Sequence, residues 1–310
     1  GLLWTAAAAA VVLTLLQTVL APRKQTLRHE LPFGIAAAAA MAIAGVLLTR
    51  AKADFGEEEM MRYDALVAAN DWQGIVDAAT AKMPDKPLSV CALNLALAKG
   101  NALGDNMFRF NQFGGEGLFP KYSISYTSLL PTAEVYWQLG MVGACQQYTF
   151  ESQEAIPDFQ KSARCYLRLA ETNMVNGDLD VARKYLDALG NTAFYRSTAE
   201  ALKELCDDPA ALAAHPVYGK VMQRRPKDPV NLFNENDKAS MLRLLLDGNP
   251  DNPTAEQYLL ASYLLDKDMD AFAQRVLAGE PESLPRHWQE ALLMQKVSTG
   301  QPLSGLPDCV

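Results

Sequence analysis

The chain has 310 residues, 49% of them hydrophobic and 21% charged, with a net charge of −8. That length implies about two domains, and the composition is too apolar for a disordered chain. With 19 Gly and 17 Pro it is neither collagen-like nor low-complexity. The charge is divided unevenly: residues 1–52 carry +4 and the rest −12. An acidic body argues against nucleic-acid binding, which needs a cationic face to neutralise phosphates.

Residues 2–20 and 31–49 are two uncharged stretches of 19 residues each. A helix needs about 20 apolar residues to cross about 30 Å of hydrocarbon, so the sequence predicts two transmembrane helices in contact with lipid. Both are rich in alanine. Small residues such as Ala37 and Gly45, or Ala40 and Ala44, would let membrane helices approach one another closely. The chain opens on Gly1 inside the first stretch, which leads us to expect a piece of a longer polytopic protein. The connection 21–30 holds Arg23, Lys24, Arg28 and His29. Basic short loops stay cytoplasmic, so the following domain is expected on the periplasmic side of a bacterial inner membrane.

From Asp54 onward the apolar spacing is helical. Asp54 and Glu57 match a capping box, with Glu58 and Glu59 adding to a solvated helix start. Candidate hairpin turns stand at Asn70-Asp71-Trp72, Gly104-Asp105-Asn106, Gly140-Met141-Val142 and Gly177-Asp178-Leu179, at spacings of 34, 36 and 37 residues. In the fourth unit, 163–195, Tyr166, Leu169 and Ala170 occupy a first helix. Ala182, Leu186 and Leu189 occupy a second, the small residues allowing two antiparallel helices to meet. A similar unit runs from Ala255, Tyr258 and Leu259 through Asp268 to Phe272, Val276 and Leu277.

These units resemble a degenerate tetratricopeptide repeat, whose period is 34 residues. The expected fold is therefore all-α: an N-terminal transmembrane hairpin over 1–52, then a tetratricopeptide-like α-α superhelix over 53–310. Two irregular segments are expected, 108–126 and 205–235, the second because Pro209, Pro216, Pro226 and Pro229 break the period. As a whole the chain resembles a group of polytopic, Bacteroidales-type membrane proteins without an established activity. The residues that carry this are the runs 110–114 (FNQFG), 134–141 (EVYWQLGM) and 150–157 (FESQEAIP). The resemblance implies origin and architecture only.

Chemistry is sparsely signalled. Cys91, Cys145, Cys165, Cys206 and Cys309 form no C-x-x-C pair, and Cys145 and Cys165 sit on apolar helical faces as small hydrophobes. His29, His215 and His287 lie far apart, so no metal site, cofactor or catalytic residue is expected. Gly114-Gly115-x-Gly117 has neither the preceding strand nor the following Lys-Ser/Thr of a phosphate loop. Asp207-Asp208 before Pro209 reads as a helix cap, and Arg224-Arg225 with Lys227 as a solvated basic loop.

Long ordered loops on repeat scaffolds are often functional. The candidate partner-binding residues are Phe110, Asn111, Gln112, Phe113 and Tyr122 in the irregular loop, and Tyr136 and Trp137 on an aromatic stripe. For the stripe, core packing is the alternative reading. The expected function is non-catalytic, a membrane-anchored scaffold that binds protein or peptide partners. The rival reading is the C-terminal part of a membrane glycosyltransferase-like enzyme whose catalytic acids lie upstream. Some such enzymes resemble this layout.

Overall fold

The computed structural model describes residues 27–52, 55–123, 125–226, 237–279, 283–302 and 308–309. Among these the regular structure is helical, apart from a two-residue parallel pair, Ser283–Leu284 with Asp308–Cys309. The fold is all-α. The chain divides into two compact units, 1–55 and 56–310.

In the first unit, α1 (Leu27–Lys52) contains the window Gly34–Ala51, with a mean hydropathy of 1.7 and no buried residue. It is long and apolar enough to cross a membrane. The expected span 31–49 falls within it; the expected span 2–20 and the capping Asp54 lie outside the described residues.

The second unit is punctuated by one kind of turn. A left-handed residue follows the helix at Asn70, Asn101, Gly140, Gly177, Lys267 and Gly300, with φ between 54° and 95°. At each, the next residue's N–H reaches the carbonyl five residues back: Asp71 to Leu66, Ala102 to Leu97, Met141 to Tyr136, Asp178 to Asn173, Asp268 to Tyr263 and Gln301 to Lys296. This is the Schellman closure, which satisfies carbonyls that a helix end leaves open. At Asp71 and Asp268 the closing residue is also the next N-cap, its carboxylate accepting from Gly74 N (2.9 Å) and Ala271 N (3.1 Å). One short sequence thus stops a helix and starts another.

The helices so delimited are α2 (Phe55–Ala68), α3 (Trp72–Ala81), α4 (Pro87–Lys99) and the single turn α5 (Leu103–Asn106). After the irregular loop come α6 (Tyr126–Leu139), α7 (Val142–Glu154), α8 (Ala163–Asn176), α9 (Leu179–Gly190) and α10 (Arg196–Asp207). Then follow α11 (Pro209–Ala214), α12 (Tyr218–Arg224), α13 (Lys238–Gly248), α14 (Pro253–Leu265), α15 (Met269–Ala278) and α16 (Arg286–Thr299). The pairs α6/α7, α8/α9 and α14/α15 are hairpins packed across their turns. Leu169, Ala170, Ala182, Leu186 and Leu189 are buried at the α8/α9 seam, as their spacing predicts.

Three expectations need correction. The second turn lies at Asn101, not at 104–106, where the chain makes α5 and a 3-10 turn in place of a full second helix. Gly104 is there for another reason: a Cβ on it would meet Pro285 Cβ at 2.6 Å and the Trp288 ring at 2.7 Å. Segment 205–226 is not irregular but carries two short helices, because Pro209 stands at the first position of α11, where its missing N–H costs nothing. Asp208 caps that helix, accepting from Ala210 N and Ala211 N at 3.0 Å.

The third correction concerns order. The hairpins do not stack in one consecutive file, because α14 packs on α4 and α5, α16 packs on α5, and α12 packs on α6 and α8. Gln257 on α14 donates to Ala98 O (3.2 Å) and Asn101 Oδ1 (2.8 Å) and accepts from Leu103 N (3.1 Å). Asn252 donates to Leu139 O at 3.0 Å. Residues Ser89–Ala98 of α4 are buried without a break, as are Gln257–Tyr263 of α14. Helices apolar on every side belong in the middle of a core, and these two form it.

Candidate functional site

The acids six residues before three of the turns, Asp64, Glu134 and Glu171, lie on α2, α6 and α8. Two arginines of α8 thread between them. Arg164 Nη2 meets Asp64 Oδ1 at 2.9 Å, and the same side chain stands 3.9 Å from Glu134. Arg168 Nη2 grips both Glu134 oxygens at 2.8 and 2.7 Å while its Nη1 meets Glu171 at 2.7 Å. The Arg168 guanidinium covers the Trp137 ring at 4.4 Å, and Tyr218 on α12 donates to Glu171 at 2.9 Å. Burial raises the Glu171 carboxyl above its ordinary value. Desolvating such charges is costly, and a ladder of this kind is tolerated because Arg164, Glu134, Arg168 and Glu171 are each held on two sides and Asp64 pairs with Arg164 at its end.

This ladder forms one wall of a cleft of about 730 Å³. The other walls are the α2/α3 turn with Asn70 and Trp72, the end of α4 with Lys99, and α12 with Lys220 and Arg224; Tyr195 closes one side. Lys99 is half-buried. Its Nζ makes a single long hydrogen bond, to Gln138 O at 3.4 Å, and lies 5.8 Å from the Trp72 ring centre. Burial, then the charges of Arg224 and Lys220, push Lys99 down from 10.5 to about 7. Burial also lowers Arg224. Among the described residues, no carboxylate pairs with Lys99, Lys220 or Arg224.

The seating of Arg224 comes from the neighbouring turn. Gly140 holds φ +95°, and a Cβ there would meet Arg224 Cβ at 2.7 Å and its carbonyl oxygen at 3.0 Å. Asn249 donates to Gln223 O at 2.8 Å, and Arg225 reaches Asn176 at 3.4 Å. Arg224 is therefore a clamped, half-buried group and not part of a solvated loop; Lys227 lies outside the described residues.

The sequence-predicted residues fall in three places. Trp137 lines the cleft with its face covered by Arg168. Tyr136, 1% exposed, is a core residue packed with Phe119 (5.8 Å) and Tyr148 (5.2 Å), so it has no surface to offer a partner. Phe110 lines a separate, 400 Å³ pocket with Val76, Leu97 and Trp72. Gln112 is turned inward: it accepts from Asn94 at 2.9 Å and donates to Met107 O at 2.7 Å. Asn111 and Phe113 are exposed, and Tyr122 meets Tyr148 edge-on at 5.8 Å. The loop that carries them is anchored in the core, since Leu118 and Phe119 are buried and Cys91 and Lys238 donate to their carbonyls.

Sequence reasoning missed Lys99, Lys220, Glu134, Arg164, Arg168 and Glu171. The recurrence of an acid six residues before the turn residues Asn70, Gly140 and Gly177 was the readable signal for the ladder. Among the described residues, no three His, Cys, Asp or Glu side chains come together as a metal would require.

Residues 1–306 match the model of a family of unknown function, DUF6057. No curated protein and no solved structure matches the chain. The chain belongs to that family, which covers the apolar N-terminal unit and the helical body together.

Proposed function

We propose that this chain is a membrane-tethered recognition module without catalytic chemistry of its own. Its hairpins are tetratricopeptide-like, and the cleft receives a segment of a protein or peptide partner at the cell envelope. Support for the repeat reading comes from the Schellman turns, which recur at intervals of 31 to 39 residues from Asn70 to Gly177. The observation that carries the binding reading is the cleft itself, 730 Å³ walled by rings and long polar side chains. Helical-repeat surfaces present such concave faces because each hairpin buries only one side against its neighbours. The tether is α1, and the charge of the loop before it favours an exported body on an inner membrane.

The test is photo-crosslinking in cells, with a benzophenone amino acid replacing Trp72 or Lys220 in the cleft and Phe194, 92% exposed and outside the cleft, as control. One adduct shared by both cleft positions and missing at Phe194 is the expected result. Identical adduct patterns at all three positions would sink the reading.

A further inference from the structure

We propose that Lys99, Lys220 and Arg224 form an oxyanion-binding site in the cleft, and that the peptide received there is held by a carboxylate. The proposal rests on the recognition reading above and names the chemistry of the partner.

Three observations carry it. The first is composition against background: the 310-residue chain has a net charge of −8, yet three cations of α4 and α12 share one concavity. The second is pairing. Arg164 and Arg168, the other two cations of the cleft, receive acids down to bidentate geometry, whereas among the described residues none pairs with these three. Solvated surface lysines need no partner, but Lys99 is half-buried with one long hydrogen bond for three N–H donors. A buried cation left uncompensated is costly, and that cost is removed when an anion arrives. The third is construction. Gly140, Asn249 and Asn176 fix the end of α12, so that Arg224 faces the cleft from a braced helix terminus. Burial first, and then repulsion from Arg224 and Lys220, lowers the proton affinity of Lys99, so the three charges sense one another within the cleft.

A carboxylate fits the rest of the lining. Trp72 and Tyr195 line the same cleft and offer rings to the apolar parts of a peptide, and Asn70 and Gln138, joined by a hydrogen bond from Gln138 Nε2 to Asn70 Oδ1 at 3.3 Å, offer their remaining amide groups to its backbone. Glu134 and Glu171 on the opposite wall are matched by Arg164, Arg168 and Tyr218, so they offset little of the charge of the three cations.

The probe is a fluorescein-labelled hexaglutamate peptide, titrated by anisotropy onto the purified full chain in detergent at physiological salt. Hexalysine serves as charge control and inorganic phosphate as competitor. Saturable hexaglutamate binding is expected, weakened at least tenfold in Lys99→Met and in Arg224→Gln and unchanged in Lys203→Gln, a cation outside the cleft. Lys220→Gln, on an exposed side chain, repeats the test without risk to folding, and circular dichroism verifies each variant. No saturable hexaglutamate binding, or binding that ignores all three substitutions, would overturn the proposal. Phosphate binding lost in the variants, with no binding of hexaglutamate, would overturn the carboxylate assignment. Cleft crosslinks that persist in the Lys99→Met/Arg224→Gln chain would leave the recognition reading standing and remove the anion site. Binding of hexaglutamate that follows the three cations, without any cleft-specific adduct in cells, would do the reverse.

Discussion

Replacing Lys99 by Met should make the chain more stable. The side chain is half-buried, no carboxylate among the described residues pairs with its Nζ, and the fold holds its proton affinity at about 7 against 10.5. At about 1.4 kcal/mol for each tenfold change in proton affinity, the gap sets a ceiling of about 5 kcal/mol. Partial exposure and relaxation of the cleft reduce this to about 1–2 kcal/mol. The sign with pH follows from linkage. Below about pH 7 Lys99 is charged in both folded and unfolded chains, and the full penalty weighs on the fold. Between about 7 and 10.5 the unfolded chain binds the extra proton, so stability of the natural chain climbs with pH and the advantage of Met shrinks. The charged groups that share the cleft with Lys99 are Lys220 and Arg224 of α12, with Glu134, Arg164, Arg168 and Glu171 on the ladder wall. Urea unfolding followed by circular dichroism at about pH 6 and about pH 10 measures the difference. A stabilisation of about 1–2 kcal/mol at the lower pH, halved or less at the higher, is expected. A destabilised Lys99→Met chain at pH 6 would refute the reasoning, since Lys99 would then be held by an interaction stronger than its burial cost.

Four further outcomes are expected. Glu134→Gln leaves Arg168 and Arg164 facing one another with half their acids, and should cost about 3 kcal/mol in denaturant unfolding. Lys267 holds φ 62° at a turn where Gly140 and Gly177 stand elsewhere, so Lys267→Gly should raise stability by about 1 kcal/mol in the same assay. Gly104→Ala drives a methyl group into Pro285 and Trp288 and should destabilise by about 1–3 kcal/mol, with a change in Trp fluorescence as α16 shifts. Burial pushes the Cys91 and Cys145 thiols up to about 12, so in a Cys309→Ser chain an aromatic disulfide reagent should label them only as fast as the protein unfolds.

Local signals in the sequence were enough for the hairpins that close on a glycine or asparagine followed by a cap. Gly177-Asp178 and Asn70-Asp71 carry both the left-handed position and the next helix start, so each turn is specified by adjacent residues. Gly104 misled because a glycine can mark a positive φ or a close approach, and its partners Pro285 and Trp288 are about 180 residues away. The prolines of 205–226 misled in a related way. Pro209 opens α11, and Pro226 follows the end of α12; both delimit helices too short to show an apolar period. The doubling back of α14 onto α4 was invisible because a helix buried all round has no amphipathic signature to say which neighbour covers which face. For the cleft, Arg224 was legible as a basic residue but not as a clamped one, since Gly140 and Asn249, which seat it, lie far off in sequence.

The cleft combines two treatments of buried charge. Along α8 each arginine meets acids drawn from α2, α6 and its own helix, and the contacts are short and mutual. That ladder ties the first hairpins to α12 through Tyr218, and its charges cancel within the protein. At the end of α4 Lys99 stands beside two further cations with no acid paired to it among the described residues. If the trio served packing alone, Met or Leu at 99 would pack against Trp72 with no electrostatic cost, and the fold would gain by the exchange. A position where the natural residue is less stable than a simple alternative is what selection for binding produces. The opposite signs expected for Lys99→Met, more stable but weaker in anion binding, separate that explanation from one in which the residue merely helps the helices fit.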